Sequence, residues 1–213
     1  SWWDVGGGAA TEQPIFRAFG QAGEPWPMVE GIVTGQMGTN GNGNYTDYAS
    51  FEEAKVSTVG NGAEVPTRGV AISSIVKSGA NQFHGTLWYG AFPPSMQSDN
   101  LDADLLAGLS ETTVNSGRPL LTRYDYGGDL GGKIIQDKLW FYGSARRRRD
   151  VQEEFTGVKD DGTPAENNQT LFGYTGKISY QINANQRLIA FAQYQNKFDV
   201  SEASEFTAWE SRS

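Results

Sequence analysis

The sequence predicts a mainly β protein, with a small α+β domain followed by antiparallel strands of a transmembrane barrel wall. Three observations carry this. Segments of about ten residues alternate apolar and polar side chains with period two, as strands with two unlike faces do. The connections between them alternate between tight turns and long polar stretches, the layout of outer-membrane barrels. Glycine makes up 27 of 213 residues and aromatics 12%, while hydrophobic residues reach only 38%. Low apolar content with many rings suits strands that bury one face, whereas disorder would deplete the rings as well.

Taken in order, residues 1–14 hold Trp2, Trp3 and the run Gly6-Gly7-Gly8, and read as irregular. Residues 15–19 and 28–34 are short strand candidates, separated by a connection containing Gly23, Pro25 and Pro27. Residues 35–44 are loop. Their glycines lack Walker spacing and no Lys-Ser or Lys-Thr follows, which argues against a phosphate cradle. Residues 48–53 suit a helical turn, and 55–59 and 71–77 are further strands. Residues 73–92 form a junction. A short β-branched strand ends at Lys77, the turn residues Ser78-Gly79-Ala80-Asn81 interrupt it, and an aromatic-rich extended run begins at Gln82.

Five wall strands are expected, at 82–92, 123–134, 139–149, 170–182 and 187–198. The fourth is the clearest: Phe172, Tyr174, Ile178, Tyr180 and Ile182 line one face, and Thr175, Lys177, Ser179 and Gln181 the other. The second repeats this with Tyr124, Tyr126, Leu130 and Ile134 against Asp125, Asp129 and Lys133. The fifth is less clean, since Ile189 and Phe191 share a face with Arg187, Gln193 and Gln195. Residues 135–138 and 183–186 are tight turns. Residues 93–122, with a short helix at 101–109, and 151–168 are long polar loops. Strands of roughly 10–12 residues match the ~9–11 that cross a bilayer when tilted, against ~5–6 in soluble sandwiches. Trp88, Tyr89, Phe92, Tyr124, Tyr126, Trp140, Phe141 and Tyr142 lie near strand ends, where a headgroup-level aromatic belt belongs, the alternative being ordinary core aromatics.

The net charge of −8 argues against nucleic acid as a partner. No cysteine is present and His84 is the single histidine, so no thiolate chemistry, His-based metal cluster or obvious triad is expected. No cofactor is expected either, and the chain does not read as an enzyme. No apolar run is long enough for a transmembrane helix, which leaves a β-barrel untouched.

Asn81-Gln82-Phe83-His84-Gly85, the stretch GGKIIQDKLWFYGS from Gly131 and several shorter runs before them together resemble the TonB-dependent outer-membrane receptors, most closely the subgroup with a carboxypeptidase-regulatory-like domain before the plug. Phe16-Arg17-Ala18-Phe19-Gly20 is similar to the plug's R-G-x-G strand, with Ala18 for the first glycine. The stretch MVEGIV from Met28 looks like its apolar-D-G-apolar element, with Glu30 for Asp. FEEAKVSTV from Phe51 is similar to its "I-E-x-I-x-V" segment. Ala63-Glu64 and the run from Gly69 through Lys77-Ser78-Gly79 match its last strand, with Val70 where a second glycine is common. Asn81-Gln82-Phe83-His84-Gly85 is like the N-x-F-H-G that opens the first barrel strand. The stretch GGKIIQDKLWFYGS from Gly131 resembles L-G-G-P-I-I-K-D-K-L-F-F-F-G, with Lys133 for proline. The resemblance implies a 22-stranded barrel with an internal plug, of which residues 1–80 would be the later plug and 81–213 the first five or so strands. Five strands cannot enclose a plug, so further strands are expected after Ser213. It also implies residence in the bacterial outer membrane, contact with lipid and lipopolysaccharide, and active transport of a scarce small ligand, peptide or saccharide. A TonB-type protein in the periplasm would drive this through a segment not found in this chain.

On that topology Arg17, Gln21, Trp26, Gln36, Asn40 and Asn42 are candidate ligand contacts from the plug side. Arg146 and Arg148 are candidates from the run Arg146-Arg147-Arg148-Arg149. That run suits an anionic ligand or lipopolysaccharide phosphates, but a solvated rim neutralised by Asp150, Glu153, Glu154, Asp160 and Asp161 is the favoured reading. Strand alternation sends only two of the four arginines to each face. Lys77, Gly79, Asn81, His84 and Gly85 are the junction residues. His84 could switch protonation in the lumen; a hydrogen bond to the plug is favoured. The acidic residues after Lys159 fail calcium-loop spacing and read as a polar loop. The alternative to a transporter is a soluble extracellular β-sandwich, carbohydrate-binding or adhesin-like, which suits the Trp, Tyr and Asn content but not the strand lengths.

Overall fold

The computed structural model describes residues 26–35, 45, 47–58, 70–97, 120–159 and 161–202. It divides into two compact units. One holds Ser1–Leu87, Gly127–Arg146 and Gly173–Gln195, and the other holds Trp88–Tyr126, Arg147–Phe172 and Asn196–Ser213.

A small first sheet comprises β1 (Trp26–Val29), β2 (Ile32–Val33), β3 (Phe51–Ser57) and β4 (Ala71–Val76), in the order β2-β1-β4-β3. The central pair β1–β4 is parallel, and β2 and β3 add antiparallel edges. The stretch from Met28, expected as one strand, is instead a tight hairpin. Val29 pairs with Ile32, and Glu30 and Gly31 between them have φ of 51° and 77°. Two successive positive φ values match the right-handed twist of a two-residue hairpin. The expected helical turn at 48–53 shrinks to a 3₁₀ turn over Tyr48–Ser50, and β3 starts directly after it. No α-helix occurs among the described residues. The candidates at 15–19 and 101–109 lie outside them.

The second sheet is a meander of five strands in sequence order: β5 (His84–Phe92), β6 (Leu120–Ile135), β7 (Leu139–Val158), β8 (Pro164–Asn183) and β9 (Gln186–Ser201). All five expected wall strands are present. Their polarity is inverted relative to a water-soluble sheet. On β8 Thr175, Lys177 and Ser179 are buried, while Tyr174, Ile178 and Ile182 are about half exposed, at 51%, 48% and 51%. On β6 Asp129 is buried while Leu130 and Ile134 are exposed. Apolar side chains face outwards and polar ones inwards, as a wall in lipid requires.

β7 and β8 are each 20 residues long, about twice what a bilayer crossing needs. The loop expected at 151–168 is therefore replaced by strand, with the turn at its tip. Hydrogen bonds from Lys159 N–H to Thr163 C=O (2.9 Å) and from Gly162 N–H to Lys159 C=O (3.0 Å) close that turn. Asp161, in the stretch weighed for calcium, caps it by accepting from the Thr163 N–H and hydroxyl at 2.9 and 2.6 Å. That hydroxyl lowers the Asp161 pKa, and Lys159, 2.7 Å from Glu202, lowers that of Glu202.

Candidate functional site

The first unit contains a polar contact zone between the first sheet and the inner face of β6 to β9. Its apolar centre is small: Val29, Val76 and Tyr142, with Phe51 and Phe191 packed against them. Burying such side chains contributes roughly 1.5–3 kcal/mol each. Tyr142, expected in a headgroup belt, faces this core instead, because Phe141 and Tyr142 point to opposite faces of one strand. Phe191 explains the mixed face of β9: it is the apolar residue on the inner side that packs on the first sheet.

Around that centre lie three charge contacts. Lys177 on β8 is the most enclosed of the three cations, its side chain only 3% exposed. Its ammonium donates to Glu30 Oε1 at 2.7 Å and to the Val76 carbonyl at 2.8 Å. The same Glu30 oxygen accepts the Val76 N–H at 2.8 Å, so the hairpin tip and the end of β4 share one node. Asp129 on β6 receives the Lys77 ammonium at 2.8 Å, the Thr86 N–H at 3.0 Å and the Tyr142 hydroxyl at 3.4 Å. Asp47 lies 3.5 Å from Arg146 and accepts from the Ser144 hydroxyl at 3.5 Å. Beside them, the Gln195 side-chain amide pairs with both backbone groups of Tyr45, accepting at 2.7 Å and donating at 2.5 Å.

The junction residues sit at one edge of this zone. Lys77 is the ion-pair donor just described. A Cβ on Gly79 would overlap the Phe141 carbonyl and come within 2.6 Å of that of Gly132, and one on Gly85 would come within 2.5 Å of that of Asp129. Only glycine lets the chain lie this close to another backbone. Asn81 caps the β6–β7 turn. Its side-chain oxygen accepts from the Asp137 N–H (3.0 Å) and the Trp140 indole (2.9 Å), and its NH₂ donates to Asp137 Oδ1 (2.5 Å). This holds Asp137 at φ 58°. Asn81→Ala should cost about 1–3 kcal/mol, read as loss of hydrogen-exchange protection at Asp137 and Lys138. His84 does not bond to the first sheet. Its Nδ1 lies 3.3 Å from the Gln82 carbonyl, because its exposed ring lies along its own strand start.

Of the candidate ligand residues, Arg17, Gln21, Gln36, Asn40 and Asn42 lie outside the described residues. Trp26 opens β1, its N–H donating to the Val70 carbonyl at 2.8 Å. Arg146 meets Asp47, as above. Arg148 is buried, 3.8 Å from an Asp150 that Arg123 also grips at 2.6 Å. Sequence reasoning missed Glu30, Asp47 and Lys177 as partners. Only the inward parity of Lys177 was visible.

The chain is similar to known outer-membrane proteins. A family model described as "Outer membrane beta barrel domain" matches residues 75–170. A relative from Myxococcus xanthus named "TonB-dependent transporter Oar" is 27% identical over 117 residues, which is 54% of this chain and 11% of the relative. The chain thus matches only a small part of that relative's length. No solved structure matches. With its outward apolar face, a soluble sandwich is the wrong reading. The two similarities support the resemblance to TonB-dependent outer-membrane receptors and residence in the bacterial outer membrane.

Proposed function

We propose that the protein serves active transport of a scarce ligand across the outer membrane. The first sheet belongs to a plug inside a closed barrel, of 22 strands in the resembling family. A TonB-type energy-coupling protein in the periplasm displaces the plug once ligand has bound outside. The ligand is a small molecule, peptide or saccharide, with Arg17, Gln21, Gln36, Asn40 and Asn42 as its candidate contacts. No catalytic step is involved. A regulatory-like domain before the plug fits the same reading.

The observation that supports this is the character of the contact zone. Its apolar centre is small and its periphery is charge pairs and hydrogen bonds, which water can replace. A switchable element needs two arrangements of similar free energy. Ser179, buried on the inner face at 2% exposure, provides the test. These 213 residues contain no cysteine, so Ser179→Cys in the full-length protein, with any cysteine elsewhere in it replaced by serine, gives a unique thiol. Its reaction with a small maleimide in cells should be several-fold faster when the energy-coupling protein is present and active. Equal rates with and without that protein would refute a partner-driven displacement.

A further inference from the structure

The four consecutive arginines of β7 divide by face, and the two pairs are treated differently. Inward-facing Arg146 and Arg148 meet Asp47 and Asp150. Outward-facing Arg147 and Arg149 have no carboxylate partner among the described residues; the Nε of each, like that of inward-facing Arg148, is buried without a hydrogen-bond partner. Arg147 is held in an aromatic setting within the second unit. It donates to the Tyr126 hydroxyl at 3.4 Å and lies 5.1 Å from the centre of the Phe172 ring. Tyr124 stacks on Tyr126 at 5.9 Å, and Phe198 meets Phe172 edge-on at 6.4 Å.

Depth decides what such a pair can meet. Arg147 lies roughly 25 Å of strand above Leu139, or about 20 Å of membrane depth at the usual tilt. That places it near the top of the ~25 Å apolar band, on the side of the long connections and so at the outer surface. An uncompensated arginine at the bilayer midplane costs about 2–4 kcal/mol, but near the interface about 0–1. The charge complementary to two guanidinium groups at that level is phosphate, which guanidinium binds through paired, charge-assisted hydrogen bonds. We propose that Arg147, set among Tyr124, Tyr126, Phe172 and Phe198, and its outward neighbour Arg149 bind the phosphorylated headgroup of an outer-leaflet glycolipid. The rings would pack on the lipid's apolar part, and Tyr126 orients Arg147. This site rests on the outer-membrane location and not on transport, so the two can fail separately.

The test is native mass spectrometry of the full-length protein in detergent with diphosphoryl lipid A or its dephosphorylated form. Wild type should retain the diphosphoryl lipid, and Arg147→Gln/Arg149→Gln should retain it ~10-fold or more weakly, the scale of losing charged hydrogen bonds. Arg147→Lys/Arg149→Lys should recover part of the affinity. Retention of the dephosphorylated form should be weak in all three, and millimolar inorganic phosphate should not displace bound lipid A. Heat-modifiable gel migration checks that each variant is folded. Equal retention by wild type and the folded Gln variant would overturn the proposal. So would equal retention of the two lipids, or displacement by inorganic phosphate, which would indicate a site for a free anion.

Discussion

Lys177→Met is expected to loosen the first sheet from the wall by about 3 kcal/mol, the lower end of what breaking a buried ion pair costs. The substitution keeps the length of the side chain but removes the charge that faces Glu30 at 2.7 Å. The Glu30 side chain is 15% exposed, so its stranded carboxylate is incompletely hydrated and retains only the Val76 N–H. The Val76 carbonyl loses its ammonium donor as well. Hydrogen exchange of the β4 amides should accelerate by about two powers of ten while β8 itself stays protected. The double variant Lys177→Met/Glu30→Gln should recover much of the loss, because no buried charge is left unpaired. Equal loss in the single and double variants would show that the node acts by packing rather than charge.

Gly79→Val is expected to be the most damaging single change at the junction, beyond about 3 kcal/mol. The atoms its Cβ would strike are the Phe141 and Gly132 carbonyl oxygens. Both belong to the backbone of paired strands, so neither can rotate away, and overpacking against fixed atoms is among the large-effect mechanisms. The expected result is a protein that reaches the membrane in low yield and lacks heat-modifiable migration. Gly31→Ala is the matching control. Nothing lies within 4 Å of a Cβ there, but φ is +77°. That change costs only the strain of a left-handed residue, about 1–2 kcal/mol. If Gly79→Val were as mild as Gly31→Ala, the chain would not pass as close to β6 and β7 as described.

The wall was readable from the sequence because lipid enforces a rule on each residue of a strand. Phe172 to Ile182 declares both faces of β8 without reference to any other strand. The rule ends where the membrane ends. Past Asp150, β7 has polar residues on both faces, so period two disappears, and a hairpin there looks like a loop. The turn at Glu30-Gly31 was hidden for another reason: the pair sits where Asp-Gly or Asn-Gly would signal a hairpin, and glutamate is not a turn former. The partners of the contact zone were out of reach altogether. Lys177 and Glu30 are 147 residues apart, and parity places a charge on a face without saying what it meets. The arginine run shows both limits. Alternation correctly split it into pairs, but only the fold could show that Arg146 and Arg148 already have carboxylates opposite them.

The side-chain amide of Gln195, paired with both backbone groups of Tyr45, has a consequence for how the first sheet could leave the wall. A parting that separates Tyr45 from Gln195, Glu30 from Lys177 and Asp47 from Arg146 would uncover chiefly groups that hydrate well. Little hydrocarbon is wetted beyond Val29, Val76, Phe51, Tyr142 and Phe191. Heat capacity rises with apolar surface wetted and falls with polar surface wetted. Parting the two should therefore show a small heat-capacity change and depend more on ionic strength than on temperature.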